Sequence, residues 1–366
     1  MIVAYDAKRL FCNRTGLGNY SRSLVANVVQ TSPTLTPLLY TPKISLPNHQ
    51  VAAFSKPPYQ VYQSKHPIKA WWRSFGIRAD LHQSEAHIYH GLSNELPWKL
   101  SAKGIKTVLT VHDLIFKRYP DFFPWIDRQF YAWKTAYSCQ QADLILAISE
   151  STKRDLIHYY QLPAQKIKVL YQACAASYYT LPSLDFAPLQ AQYQLPKKFI
   201  LFVGTLEPRK NLSLLLRAHQ LLPKAQQLPI VLVGRGQLPP EYAPSMPVHW
   251  LDNIQSTQDL QTLYQAASVL VYPSLYEGFG LPIVEALLCK TPVIAAQSSS
   301  LAEAGGPHSL YVPPHDAKAC AHAIVRVLTN PDLAEQMRQK GWEYAHSKFA
   351  PTVLSQQLFQ YYQDLL

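Results

Sequence analysis

Residue types able to do chemistry gather in two stretches of the C-terminal half. The first, Phe202-Val203-Gly204-Thr205-Leu206-Glu207-Pro208-Arg209-Lys210-Asn211-Leu212, runs from an apolar segment through a short loop with adjacent cations into an amphipathic segment. Backbone N–H groups at a helix start, with a guanidinium and an ammonium beside them, suit an anion such as a diphosphate. A solvated loop with a charged helix start has the same composition, so this reading needs a second element. That element is Pro273-Ser274-Leu275-Tyr276-Glu277-Gly278-Phe279-Gly280-Leu281-Pro282-Ile283-Val284-Glu285-Ala286. Glycine is scarce, 13 in 366 residues, and two of the 13 sit here where a strand gives way to a helix, letting the backbone approach a ligand. Pro282 fits the first helical turn. Glu277 and Glu285 form an E-x7-E pair, and one carboxylate accepting from two vicinal hydroxyls is a common grip on ribose. The same pair also fits a helix N-terminal charge and an exposed helix residue; E-G-F-G-L-P inside it is the more specific signal.

These two stretches and their spacing resemble the retaining nucleotide-sugar glycosyltransferases of the two-Rossmann GT-B fold, specifically glycosyltransferase family four. The resemblance covers nearly the whole chain. It extends to Thr15-Gly16-Leu17-Gly18-Asn19-Tyr20, Tyr89-His90-Gly91-Leu92-Ser93, Val111-His112-Asp113-Leu114 and Ala142-Asp143-Leu144-Ile145-Leu146-Ala147-Ile148-Ser149. It implies that Lys210, helped by Arg209, neutralises the donor pyrophosphate and that Glu285 binds the nucleotide ribose. Glu277 and the N–H groups of Gly278, Phe279, Gly280 and Leu281 would hold the donor sugar. It further implies contact between His112 and the sugar near its anomeric centre, closure of the Gly16/Gly18 loop over the phosphates, and a base near Gly234-Arg235-Gly236. In the front-face mechanism that the resemblance suggests, the leaving phosphate itself takes the acceptor proton. Glu277 as nucleophile and His112 as general base are the competing roles, the first disfavoured because retaining hydrolysis normally uses two flanking carboxylates. One departure stands out. Many relatives carry a second phosphate-binding Arg directly after the loop glycine, where this chain has Thr205, so either Arg209 compensates or donor affinity is lower.

Charge builds on the phosphate oxygens as a nucleoside diphosphate departs, and fixed cations stabilise it in the transition state. No D-x-D occurs in the chain, which argues against a carboxylate-held metal; no metal and no cofactor are expected. His82, His87, His90 and Glu85 match no zinc spacing. Gly16-Leu17-Gly18 begins a dinucleotide fingerprint, but Ser21 replaces its third glycine and no ribose-binding acid follows.

The elements that must position these groups read as short apolar runs alternating with amphipathic stretches, the pattern of α/β layers around parallel sheets. Strands are predicted at residues 2–5, 87–90, 107–111 and 144–148, then at 199–203, 230–233, 248–251 and 269–272. A helix is predicted over 150–160, capped by Ser149 or Ser151, with others near 211–222, 256–267, 281–289 and 333–346. The expected organisation is two doubly wound Rossmann-like domains facing a central cleft, with ligands at the carboxyl ends of the strands. It comprises an acceptor-binding domain over 1–174, a linker over 175–198, a nucleotide-sugar domain over 199–348 and a closing helix over 349–366.

Composition bounds the rest. Apolar residues make up 48% and aromatic residues 12%, which excludes a disordered or fibrous chain. The formal net charge of +11 is uneven: residues 1–190 hold 21 basic and 11 acidic side chains, the remainder 13 and 12, and residues 7–79 hold ten basic side chains and no acid. Within that run Lys65, Lys69, Arg73 and Arg78 alternate with Trp71, Trp72 and Phe75. Segment 65–78 is therefore expected to meet an anionic membrane surface, although an amphipathic helix packing its tryptophans inward reads the same way. No nucleic-acid motif is present, so no nucleic-acid partner is expected. Five separate cysteines at 12, 139, 174, 289 and 320 suit free buried thiols in a reducing compartment. With no basic n-region at the start and no long apolar run, the expected location is cytoplasmic, peripheral at the inner face of the cell membrane. The expected activity is metal-independent, retaining transfer of a hexose to a lipid-linked glycan in O-antigen, capsule or exopolysaccharide assembly. The donor expected first is GDP-mannose, then a UDP-sugar. A nucleotide-sugar epimerase or hydrolase of the same fold, and a non-catalytic sugar-nucleotide-binding protein, are the alternatives.

Overall fold

The protein is described from a computed structural model covering residues 1–100, 104–180, 182–254 and 256–366. It divides into two compact units, Met1–Ala175 with Pro351–Leu366, and Ala176–Ala350.

Among the described residues, unit 1 holds seven parallel strands. They are β1 (Ile2–Asp6), β2 (Thr36–Thr41), β3 (Gln60–Gln63), β4 (Ile88–Gly91), β5 (Lys106–Val111), β6 (Leu144–Ala147) and β7 (Ile167–Val169), in the order β3-β2-β1-β4-β5-β6-β7. The runs in β4 and β6 are buried at every position, as a parallel sheet covered on both faces requires. β2, β3 and β7 were not predicted. Pro37 breaks the reading of β2, and β3 is a polar, largely exposed edge. The helix Glu150–Tyr160 forms over its predicted span. Ser149 is its cap, Oγ accepting from the Thr152 N–H at 3.0 Å. The helix Pro351–Leu365 closes onto unit 1, where Tyr362 is fully buried with its hydroxyl 2.6 Å from His90 Nδ1.

Unit 2 holds, among the described residues, a six-stranded parallel sheet. Its strands are β8 (Ile200–Val203), β9 (Ile230–Val233), β10 (Val248–Leu251), β11 (Val269–Tyr272), β12 (Val293–Ala296) and β13 (Leu310–Val312), ordered β10-β9-β8-β11-β12-β13. The chain runs outward from β8 to β10 and then crosses to β11 on the other side of β8. The strand order therefore reverses between β8 and β11, where the loops at the strand carboxyl ends diverge and leave room for a ligand. In unit 1 the same reversal falls between β1 and β4.

The stretch expected as a linker over 175–198 belongs, from Ala176 onward, to unit 2. It contains the helix Ala187–Tyr193, buries Leu189 and Leu195, and sets the Phe186 ring 5.9 Å from that of Phe199. Its prolines and tyrosines hid short apolar anchors; Leu181 lies outside the described residues.

Candidate active site

The loop after β8 is shaped by close backbone approach. Gly204 sits at φ +152°, and a Cβ there would lie 3.5 Å from Lys210 Cδ, so the lysine stem crosses the glycine. The Leu206 N–H donates to the Arg235 carbonyl at 2.7 Å. A Cβ on Gly234 would stand 1.9 Å from the Gly204 carbonyl oxygen. Here, then, Gly234 and Gly236 serve the joining of two loops. A 3-10 turn over Pro208–Lys210 presents both cations and ends at Asn211, which holds φ +55°. Asparagine tolerates that left-handed conformation. Its Nδ2 donates to the carbonyls of Pro273 at 3.1 Å and Pro314 at 2.8 Å, tying the turn to the loop after β11.

Both cations converge on one carboxylate. Lys210 Nζ lies 2.7 Å from Glu277 Oε1, and Arg209 Nη1 lies 2.8 Å from Glu277 Oε2. The hydroxyl of Tyr272 accepts from Lys210 at 2.9 Å and donates to Glu277 at 3.0 Å. Arg209 also donates to the Tyr276 carbonyl at 2.9 Å. The side chains of Arg209, Lys210 and Glu277 are 16%, 12% and 12% exposed, whereas Glu207, 3.5 Å from Arg209, is 55% exposed. The largely buried cluster thus holds two positive charges and one negative. Burial pushes Glu277 up, but Lys210 and Arg209 more than reverse this and hold it below the usual carboxylate range. Burial draws Lys210 down, yet Tyr272 and Glu277 keep it above an ordinary lysine. Burial, aided by Glu277, pushes Tyr272 up to about 12.

Glu277 is fixed through its backbone as well. Its N–H donates to Ser299 Oγ at 2.9 Å, and the Ser300 hydroxyl donates to the carbonyls of Glu277 and Phe279. Phe279 is buried edge-on to Phe349, so its side chain anchors the loop. Gly280, at φ +122°, precedes the helix Leu281–Leu288, whose start has no side-chain cap. Glu285, in the second turn, is half-buried, and its Oε2 accepts from the Tyr264 hydroxyl at 3.0 Å. Oε1 has no hydrogen-bond partner among the described residues. Burial pushes this carboxyl up to about 7, with Tyr264 pulling slightly the other way. Neither glutamate is an ordinary exposed helix charge.

The remaining predicted residues belong to unit 1. His112 follows β5 and is buried, with Nε2 2.9 Å from the Leu92 carbonyl and Nδ1 3.1 Å from Gln172 Nε2. A carbonyl only accepts, so Nε2 carries the proton and Nδ1 accepts from Gln172. The Tyr20 ring stands edge-on at 4.7 Å. Burial lowers the His112 pKa to about 4, Leu92 opposing and Arg9 assisting, so the ring is neutral and both nitrogens are in use. As a general base it would first have to give up the Gln172 bond. The Gly16/Gly18 stretch is not a free loop: Gly16 opens the helix Gly16–Thr31 behind Thr15. A Cβ on Gly18 would meet the Asn13 carbonyl oxygen at 1.9 Å, whereas Gly16 has open space.

Segment 65–78 also differs from expectation. Trp72 is buried and donates to Asp80 at 2.7 Å; Arg73 pairs with Asp6 (Nε to Oδ2, 3.0 Å) and with Glu95; Lys69 donates to the Ser64 carbonyl. Of its four cations and three aromatic rings, Lys69, Trp72 and Arg73 therefore serve the fold. Among the described residues no helix is long and apolar enough to cross a membrane, and no group of three or more His, Cys, Asp or Glu is arranged to hold a metal ion.

Sequence reasoning missed Tyr272, Tyr264, Asn211, Ser299 and Gln172. Only Tyr272 carried a usable signal, its position as the last residue of a strand at the switch point.

Residues 27–174 match the family model described as Glycosyltransferase Family 4, and residues 188–343 match Glycosyl transferases group 1. The O-antigen chain mannosyltransferase B of Escherichia coli is 33% identical over 304 residues, 78% of this chain and 76% of that one. The serotype-specific mannosyltransferase WbdA of Escherichia coli is 30% identical over 266 residues, 67% of this chain, but the match spans only 31% of WbdA's length. The crystal structure of Anabaena Alr3699/HepE in complex with UDP aligns over all of both chains with a TM-score of 0.74 at 18% identity, a likeness of fold. Two parallel α/β units, one family model on each, and a relative sharing a third of its residues over most of both lengths leave one conclusion: the chain belongs to the family-four glycosyltransferases and has the GT-B fold, two Rossmann-like domains.

Proposed function

We propose that the protein transfers mannose from GDP-mannose, with retention and without a metal, to a lipid-linked glycan in O-antigen assembly at the inner face of the cell membrane. The sugar and the pathway are supported by the mannosyltransferase names of the relatives. The observation that carries the chemistry is the buried triad of Arg209, Lys210 and Glu277, two cations on one buried carboxylate, with only the exposed Glu207, 3.5 Å from Arg209, as a second acid. Such a site attracts an anion, and a diphosphate supplies the missing negative charge.

In this reading Lys210 and Arg209 turn from Glu277 to the donor phosphates as the donor binds, before the sugar–phosphate bond breaks. They supply the positive charge a metal would otherwise give, and Arg209 stands in for the arginine absent at Thr205. Because they are held in a water-poor loop before reaction, little reorganisation accompanies the charge shift. Glu277, relieved of its cations, accepts from sugar hydroxyls, with the backbone from Gly278 to Leu281 beside it. The second oxygen of Glu285 accepts from the ribose hydroxyls. His112, neutral and held by Gln172 and Leu92, contacts the sugar without taking a proton, and the leaving phosphate accepts the acceptor's proton.

The test is transfer by the purified protein from GDP-mannose, and separately UDP-glucose, to a lipid-linked glycan, with the anomeric configuration read by nuclear magnetic resonance. A product of retained configuration from GDP-mannose supports the reading. No transfer from any nucleotide sugar, together with unchanged nucleotide binding in Lys210→Ala, overturns it.

A further inference from the structure

The surface of unit 1 carries a feature that the transfer chemistry does not use. In the helix Trp125–Gln141 the buried residues, Ala132, Thr135, Ser138 and Cys139, all lie beyond the second turn. The helix presents Trp125, Ile126, Phe130 and Trp133 at 65%, 74%, 54% and 54% exposure. Single exposed apolar side chains are ordinary; a contiguous set is not. This set continues off the helix. The Trp133 ring is 5.3 Å from Trp98, Trp98 stacks 5.9 Å from Phe75, and Phe75 lies 6.2 Å from the exposed Trp71. Three segments distant in sequence thus build one aromatic face.

Its charge setting selects the occupant. Unit 1 holds 21 basic and 11 acidic side chains against 13 and 12 in unit 2. Exposed Lys65 and Lys99 adjoin the ring contacts of His66 with Trp71 and of Trp98 with Phe75. A second copy would bring the same positive surplus and be repelled, whereas an anionic surface is attracted. Rings with an apolar body and cations at their margin are the composition that settles at headgroup level. We propose that this face, centred on Ile126, Phe130, Trp133 and Trp71, docks unit 1 onto a bilayer containing anionic phospholipid. The predicted segment 65–78 supplies only one edge of it. The inference extends the reading of a lipid-linked acceptor, yet it is tested with neither donor nor acceptor present. Failure of docking therefore leaves transfer standing, and failure of transfer leaves docking standing.

The full chain is sedimented with vesicles of phosphatidylcholine alone and of phosphatidylcholine with roughly one third phosphatidylglycerol, and tryptophan emission is followed with brominated lipid. The expected result is binding to the anionic vesicles that weakens with salt, is about tenfold poorer on the neutral ones, and brings quenching. Phe130→Ser/Trp133→Ser should lower partitioning about tenfold or more, whereas Leu221→Ser, an exposed apolar site on unit 2, leaves it unchanged. Should the double variant melt early, Ile126→Ser serves instead, since that side chain is 74% exposed. Undiminished binding by a folded variant overturns the proposal. So does binding without quenching, and so does a wild-type dimer that ignores vesicles and becomes monomeric in the variant.

Discussion

Unit 1 carries nearly all of the chain's positive surplus, yet its two buried histidines are neutral and its most buried ion pair is balanced. His112 and His90 are held uncharged, with pKa values lowered by burial to about 4 and about 3. The ions Arg73 and Lys134 are matched by Asp6 and Glu95. Unit 2 is nearly neutral as a whole but encloses two cations on one carboxylate. Charge counted over a domain and charge left uncompensated inside it are therefore different quantities. The first acts through water and is screened within ~10 Å at moderate salt; the second acts where water screens poorly and selects a bound anion.

The contrast breaks first, and most visibly, at Lys210. Lys210→Ala should lower kcat/KM for transfer about a thousandfold and weaken GDP binding in calorimetry, since it removes one of the two buried cations that meet the anion. Gln172→Ala, which frees the His112 ring in unit 1, should leave GDP binding unchanged. Equal loss of GDP binding in the two variants would erase the distinction between the units.

The glycines divide along the same line of what is filled and what is open. Gly18→Ala forces a Cβ to 1.9 Å from a backbone oxygen, whereas Gly16→Ala meets open space. Thermal melting should show Gly18→Ala destabilised by about 3 kcal/mol and Gly16→Ala within about 0.5 kcal/mol of wild type. A normal Gly18→Ala protein would return this stretch to the free loop that its sequence suggested.

Glu277→Gln sharpens the comparison from the other side. It releases Arg209 and Lys210, so GDP should bind about tenfold more tightly while transfer falls about a hundredfold. Calorimetry and a transfer assay read the two effects. Weaker GDP binding would mean that Glu277 aims the cations instead of competing for them.

How far the sequence foretold this depends on where each signal lies. Strands such as β9 and β11, four buried apolar residues between polar loops, were legible to the residue, because burial on both faces leaves no other composition. The edge strand β3 was not, since three of its four residues are exposed. At the site, the cations and the E-x7-E pair were legible from types and spacing. Their mutual ion pairing was not, because 67 residues separate Lys210 from Glu277 and only the neighbouring ends of β8 and β11 bring them together. Gln172 had no signal at all, its amide being brought to His112 by tertiary packing alone.

The smallest effect concerns Glu285 and pH. Its carboxyl is raised from 4.5 to about 7, so its ionised form is disfavoured by folding. The stability this group contributes is complete below pH ~4.5 and is lost as pH rises through about 7. Glu285→Gln should then match wild type near pH 4 and exceed it by about 1–2 kcal/mol at pH 8, allowing for water at a half-buried side chain. Nucleotide binding should run the opposite way. If the ionised carboxylate accepts from ribose hydroxyls, GDP-mannose affinity of the wild type rises between pH 6 and pH 8 by about tenfold at most, while that of Glu285→Gln stays low and flat. His112, neutral throughout this range, adds no inflection of its own. The same charge that costs the empty unit stability is then the one the nucleotide uses, and a flat wild-type profile would separate Glu285 from the ribose altogether.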